Sequence, residues 1–184
     1  SPHLIPHTAI CDPELTYSCP PSLTAISGAD ALTHAIEAFT TIRRDPTATI
    51  AHEHVFLGKN ALSDHYARLA ISHIAASLKP AYDNGADTVA RERLMLGATA
   101  AGLAFGTAGT AAAHAIQYPV GALTHTPHGA GVAVMLPYDM KFIRSHVRAG
   151  MAEIADAMGV QTTGLSEDRK ASAAIDAVAA LFGA

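Results

Sequence analysis

Tryptophan is absent from this chain, and aromatic residues make up only 5% of it. β-Sandwiches and barrels build their interiors from β-branched and aromatic side chains, so this scarcity, beside abundant alanine, points to closely packed helices instead. Cysteine is scarce as well. Cys11 and Cys19 are too few for a disulfide framework and read as two reduced thiols. Charged residues reach only 15%, with 12 basic against 16 acidic for a net charge of −4, and no Lys/Arg stripe marks a nucleic-acid partner. The longest apolar runs fall short of the roughly 20 residues that cross a bilayer, so no membrane partner is expected. No basic start and apolar core open SPHLIPHTAICDP, which reads as cytoplasmic. Neither of the Gly-rich phosphate loops, GxGxxG or GxxxxGK[ST], occurs.

What is present is 184 residues, 49% hydrophobic, enough for one well-packed domain. The chain lacks an initiating Met and opens in a Pro-rich stretch, as though cut from something longer. Residues 1–21 hold five of the ten prolines and are expected to be extended, with a short strand around Thr8–Cys11. From Ser22 as N-cap, Leu23, Ile26, Leu32, Ile36 and Phe39 follow helical spacing, and Gly28 leaves open one helix or two. Residues 41–60 read as a long connection with a helical piece near its end. Ser63 or Asp64 then caps a helix to about Leu78, closed by Pro80 and Asn84-Gly85. Asp87 or Thr88 starts a long helix towards Phe105, and the small residues from Gly106 to Ala113 lead into a helix carrying His114. Pro127 breaks the chain before His128, a helix kinked at Pro137 follows, and residues 150–159 and 166–182 form two more. The expected fold is an all-α helical bundle behind a short irregular N-terminal segment.

Four residues carry the chemistry. Asp30 and His34 lie four apart in GADALTHAIEAF and project from one helical face. His114 lies in AAAHAIQYPVG, and His128 follows fourteen residues later in the loop THTPHGAG. Alone, the first pair reads as a buried Asp–His hydrogen bond and His114 as a satisfied core histidine. Together, in apolar or small-residue surroundings, one carboxylate and three imidazoles suit a divalent ion such as Fe²⁺ or Zn²⁺. A carboxylate in a dry core is expensive unless a cation accompanies it. His125, three residues before His128, is a candidate to orient a ligand or relay a proton. His52-Glu53-His54 reads as solvated loop, because adjacent helical residues diverge. His3, His7, His65, His73 and His146 have surface-type neighbours.

The segments CDPELTYSCPPSLTAISGADALTHAIEAF (11–39) and ARERLMLGATAAGLAFGTAGTAAAHAIQYPVGALTHTPHGAGVAVMLP (90–137) resemble the C-terminal domain of the iron-containing (group III) alcohol dehydrogenases. The resemblance implies metal ligation by Asp30, His34, His114 and His128. It implies an extended connection over 1–21 and an all-helical metal-binding domain over 22–184, truncated at its C-terminus. NAD or NADP would be held by a Rossmann-like domain outside this chain, and the complete enzyme would interconvert a small alcohol with its aldehyde or ketone, as a homo-oligomer. Where the family usually carries a second His near the nicotinamide, this chain has Tyr118, a poorer base at neutral pH. Tyr118 and His125 are thus the catalytic candidates, and Phe105 matches a position lining the substrate pocket. Two alternatives stand beside this reading: a metal-free maleylacetate-reductase-like enzyme, or a helical metal-binding fragment inactive without its nucleotide domain.

Overall fold

Two consecutive prolines, Pro20 and Pro21, launch the first long helix, because a fixed φ suits the first turn and the missing N–H has no partner there. The computed structural model describes residues 6–183. A short 3-10 turn, Pro13–Thr16, is capped by the Asp12 carboxylate, which accepts from the Glu14 N–H. Eight helices follow: α1 (Pro21–Thr40), α2 (Ile50–Glu53), α3 (Ala61–Asp83), α4 (Thr88–Ala108), α5 (Ala112–Thr124), α6 (His128–Ile143), α7 (Arg148–Ala157) and α8 (Glu167–Phe182). Among the described residues there is no strand, only an isolated bridge between Arg43 and Gly58. No single helix among them is long and apolar enough to cross a membrane.

The core is a mutual packing of α1, α3 and α4, flanked by the pairs α5–α6 and α7–α8. Leu32, Ile36 and Phe39 of α1 meet Ile71, Ile74 and Leu78 of α3 over the alanine face Ala100, Ala101, Ala104 and Ala108 of α4. Small residues on one partner let the helix axes approach while the branched residues of the other fill the groove. α1 thereby becomes the buried central helix, and a polar residue on it must find its partners inside the protein.

Several expectations are corrected. Residues 8–11 form no strand. Ser22 is not the cap, since α1 already begins at Pro21. α1 is continuous through Gly28, where a side chain would collide with Leu78 of α3, so the glycine answers to packing and not to a break. The helical piece α2 lies midway in 41–60, not near its end. α3 starts at Ala61 because Asn60 caps it in a box with Ser63, and it runs on through Pro80 to Asp83. Pro80 forfeits one N–H, yet its carbonyl still accepts from Asn84, so one lost bond near the end does not stop the helix. His128 is not a loop residue; it opens α6, which continues through Pro137. Cys11 and Cys19 are free thiols. His3 lies outside the described residues.

Gly97 marks where α4 presses hardest on α3: a Cβ there would lie 2.7 Å from Ile74 Cγ1 and 3.3 Å from the Ile74 backbone nitrogen. Gly102, one turn further along the same helix, has nothing within 4 Å of its would-be Cβ. Gly97→Ala should therefore destabilise by about 1–3 kcal/mol, whereas Gly102→Ala should stabilise by up to about 1 kcal/mol. Urea unfolding of the two variants checks the pair, and equal effects would refute this packing.

Candidate metal centre

On α1, Asp30, His34 and Glu37 are spaced i, i+4, i+7 and share one face of a buried helix. That face looks onto the first turn of α5, which has no side-chain cap of its own at Ala111. Glu37, only 1% exposed, supplies the cap from across the bundle. Its Oε1 accepts from the Ala113 N–H at 2.8 Å and the His114 N–H at 3.3 Å. Its Oε2 lies 2.5 Å from His114 Nδ1, which donates to it. A carboxylate at a helix N-terminus satisfies two orphan donors and meets the positive end of the dipole.

With Nδ1 committed to Glu37, His114 turns Nε2 to Asp30, 3.4 Å from Oδ1. His128 arrives from α6, its Nε2 3.6 Å from the same oxygen. It gets there because α6 touches α1 closely: any side chain at Gly129 would strike the Ile26 carbonyl. Donor atoms of Asp30, His114 and His128 all lie within 4.8 Å of one another. His34 stands beside this triangle. Its Nδ1 is 3.6 Å from Asp30 Oδ1, its ring centroid is 4.4 Å from that of His114, and its face stacks on Phe105 at 4.2 Å and 20°.

The centre is chemically unfinished. Asp30 Oδ1 and His114 Nε2 are buried and neither has a hydrogen-bond partner. Buried polar atoms left unpaired are expensive, and two facing each other with a third nitrogen opposite are what a cation would complete. One anionic oxygen with imidazole nitrogens is a fitting donor set for Fe²⁺ or Zn²⁺.

Protonation follows from the same packing. Burial alone would lower the pKa of His114, but its hydrogen bond to Glu37 and the nearby negative charges of Glu37 and Asp30 push it up to about 9. Burial would raise Asp30, and the His114 ring facing it, with the charges of His34 and His128, outweighs that, holding the carboxyl below its usual value. For His34 burial dominates and the pKa falls. Asp139 of α6, also buried, is pushed up to about 6 by burial and then by the charge of Glu37.

The remaining candidates fall at different distances from the centre. Tyr118 is 60% exposed and stacks on His128 with centroids 5.6 Å apart and planes at 22°. Phe105 forms the wall behind His34. His125 is an exposed residue that closes α5 in the left-handed conformation, φ 56°, and its ring takes no part in the stack around the centre. His52, Glu53 and His54 are exposed in the 41–60 connection. Glu37 and Gln117 went unremarked in the sequence. Glu37 had one signal, an acid in register with Asp30 on an otherwise apolar helix. Gln117, which accepts from His128 Nδ1 at 2.7 Å, stands one turn after His114.

The sequence model described as "Fe-containing alcohol dehydrogenase family, C-terminal" matches residues 24–184. The chain belongs to this family. It is 42% identical over 165 residues to Long-chain-alcohol dehydrogenase 1 of Geobacillus thermodenitrificans, covering 90% of this chain and 38% of that protein. It is 35% identical over 180 residues to lactaldehyde reductase of Escherichia coli, covering 98% and 43%. Among solved structures, a 1,3-propanediol oxidoreductase superposes with a TM-score of 0.83 at 35% identity, over 92% of this chain and 41% of that one. A sulfoacetaldehyde reductase from Bifidobacterium kashiwanohense in complex with NAD+ does so at 0.71 and 29%, over 94% and 40%. The chain thus spans about two fifths of the relatives it matches. In a family whose name carries iron, Asp30, His114 and His128 are the described residues that could hold a metal ion together.

Asp139 offers a test by pH. Its folded pKa of about 6 exceeds the ordinary 3.8, so the folded state binds this proton more tightly than the unfolded one. Stability attributable to it is complete below about pH 4, falls as pH rises to about 6, and stays down above that. Asp139→Asn should remove this slope and raise Tm at pH 7 by roughly 2–4 °C, on the order of 1 kcal/mol, with no gain at pH 4. Thermal melts across this range check it; equal gains at both ends would contradict it.

Proposed function

We propose that this chain is the metal-holding helical part of an iron-type alcohol dehydrogenase, with Asp30, His34, His114 and His128 as the ligands. The observation that carries the reading is the pair of buried, partnerless atoms, Asp30 Oδ1 and His114 Nε2, with His128 Nε2 facing them. A divalent cation there would supply Lewis acidity toward the oxygen of a small alcohol or carbonyl compound, and Fe²⁺ and Zn²⁺ both suit the donors. Glu37 holds His114 in the tautomer that keeps Nε2 free. Phe105, stacked on His34, gives an apolar wall against which a small organic molecule can lie. Tyr118, at the exposed edge beside His128, can donate a hydrogen bond to such a molecule. A tyrosine there in place of imidazole assigns it to orienting substrate more than to accepting a proton at neutral pH. His125, strained and exposed, shapes the turn that delivers His128.

On this reading residues 22–184 are the metal domain and 1–21 the connection to a nucleotide-binding part outside this chain. The NAD+ in the structure of the sulfoacetaldehyde reductase supports a nicotinamide as the co-substrate. A reaction drawing on that pool belongs in the cytoplasm, and the complete enzyme would associate as a homo-oligomer. The relatives named for alcohols, lactaldehyde and propanediol support a small alcohol or aldehyde as substrate.

Metal loading tests the ligand set without activity. At about one hundred times Kd, Fe²⁺ or Zn²⁺ should stabilise the chain by about 2.7 kcal/mol. His114→Ala should abolish both this shift and the metal retained after desalting, measured by elemental analysis. Unchanged metal content in that variant would refute the ligand assignment, and a wild type that retains no metal would favour a metal-free relative.

A further inference from the structure

His114 and His128 are held in place by different means. The His114 side chain is 1% exposed and locked by a buried carboxylate, whereas the His128 side chain is 39% exposed and stands at the first position of its helix. Packing alone does not fix an imidazole that is so open. Its ring hydrogen-bonds Gln117, 3% exposed, whose Oε1 accepts from Nδ1–H at 2.7 Å. That bond places the lone pair on Nε2, the atom facing Asp30.

Gln117 is itself confined. A Cβ at Gly131 would lie 2.5 Å from Gln117 Cγ and 3.0 Å from its Nε2, and one at Gly121 would collide with the same amide. The two glycines, one on α5 and one on α6, leave the space that this side chain fills. Resting on the metal reading above, we infer that Gln117 is a positioning residue: seated between Gly121 and Gly131, it sets the tautomer and aim of His128 and thereby the affinity of the centre.

Cobalt(II) titration of the full chain, followed by ligand-field absorption, tests this. Wild type should bind the ion with a spectrum of nitrogen and oxygen ligation. Gln117→Leu should bind about 10–100-fold more weakly with an altered spectrum. Gln117→Glu, which keeps an acceptor for Nδ1–H, should bind no more weakly than wild type, a rescue that a purely structural role would not produce. Gly131→Ala should shift the spectrum by displacing the amide. Independently of any metal, ¹⁵N NMR of the wild type at mildly alkaline pH should show His128 protonated at Nδ1. Wild-type affinity and spectrum in Gln117→Leu, failure of Gln117→Glu to rescue, or protonation of His128 at Nε2 would each overturn the inference and leave the metal site standing. A wild type that binds no cobalt would overturn the metal reading and this proposal with it.

Discussion

The carboxylate of Glu37 is the contact on which the rest of this site depends. It lies inside the bundle, where an ionised group survives only if donors surround it, and two backbone N–H groups and one imidazole N–H do so. Those donors belong to the opening of α5, so the bond that makes a buried charge tolerable also docks α5 onto α1. It does a third thing in the same stroke, presenting His114 with its far nitrogen free and directed at Asp30.

Charge explains why a single acid would not suffice. α5 and α6 both bring their N-terminal turns to the centre, His114 in the first turn of one and His128 at the first position of the other. Two positive helix ends repel a cation. Asp30 and Glu37 offset them, one facing the ring nitrogens of His114 and His128 and the other behind His114. Burial pulls the His114 pKa down, while the Glu37 hydrogen bond and the charges of Glu37 and Asp30 push it up to about 9. Asp139, the third acid of this region, is lifted first by its burial and then by the charge of Glu37.

The helical class and the candidate donors were legible because they depend on local pattern. Asp30 and His34 announce themselves by i, i+4 spacing, and alanine with few aromatics announces helices. What depended on contact between elements was hidden. Gly28 left one helix or two open, and it is a place where α3 comes close. Pro80 looked like a stop, yet near a helix end its missing N–H costs little and α3 runs past it. His128 looked like loop because a proline precedes it, whereas that proline is the cap of α6. Glu37 and Gln117 hydrogen-bond the rings of His114 and His128, and no spacing rule marks an acid or amide that acts by holding another residue's ring.

The family match gives this arrangement its chemical setting, while the ligand set rests on the geometry of α1, α5 and α6. X-ray absorption at the metal edge of the chain loaded with Zn²⁺ or Fe²⁺ examines that geometry most directly. The account predicts a first shell of imidazole nitrogens and carboxylate oxygen at about 2.0–2.2 Å, with the outer-ring scattering of three histidines. A shell of water oxygens alone, or one bearing sulfur, would contradict it.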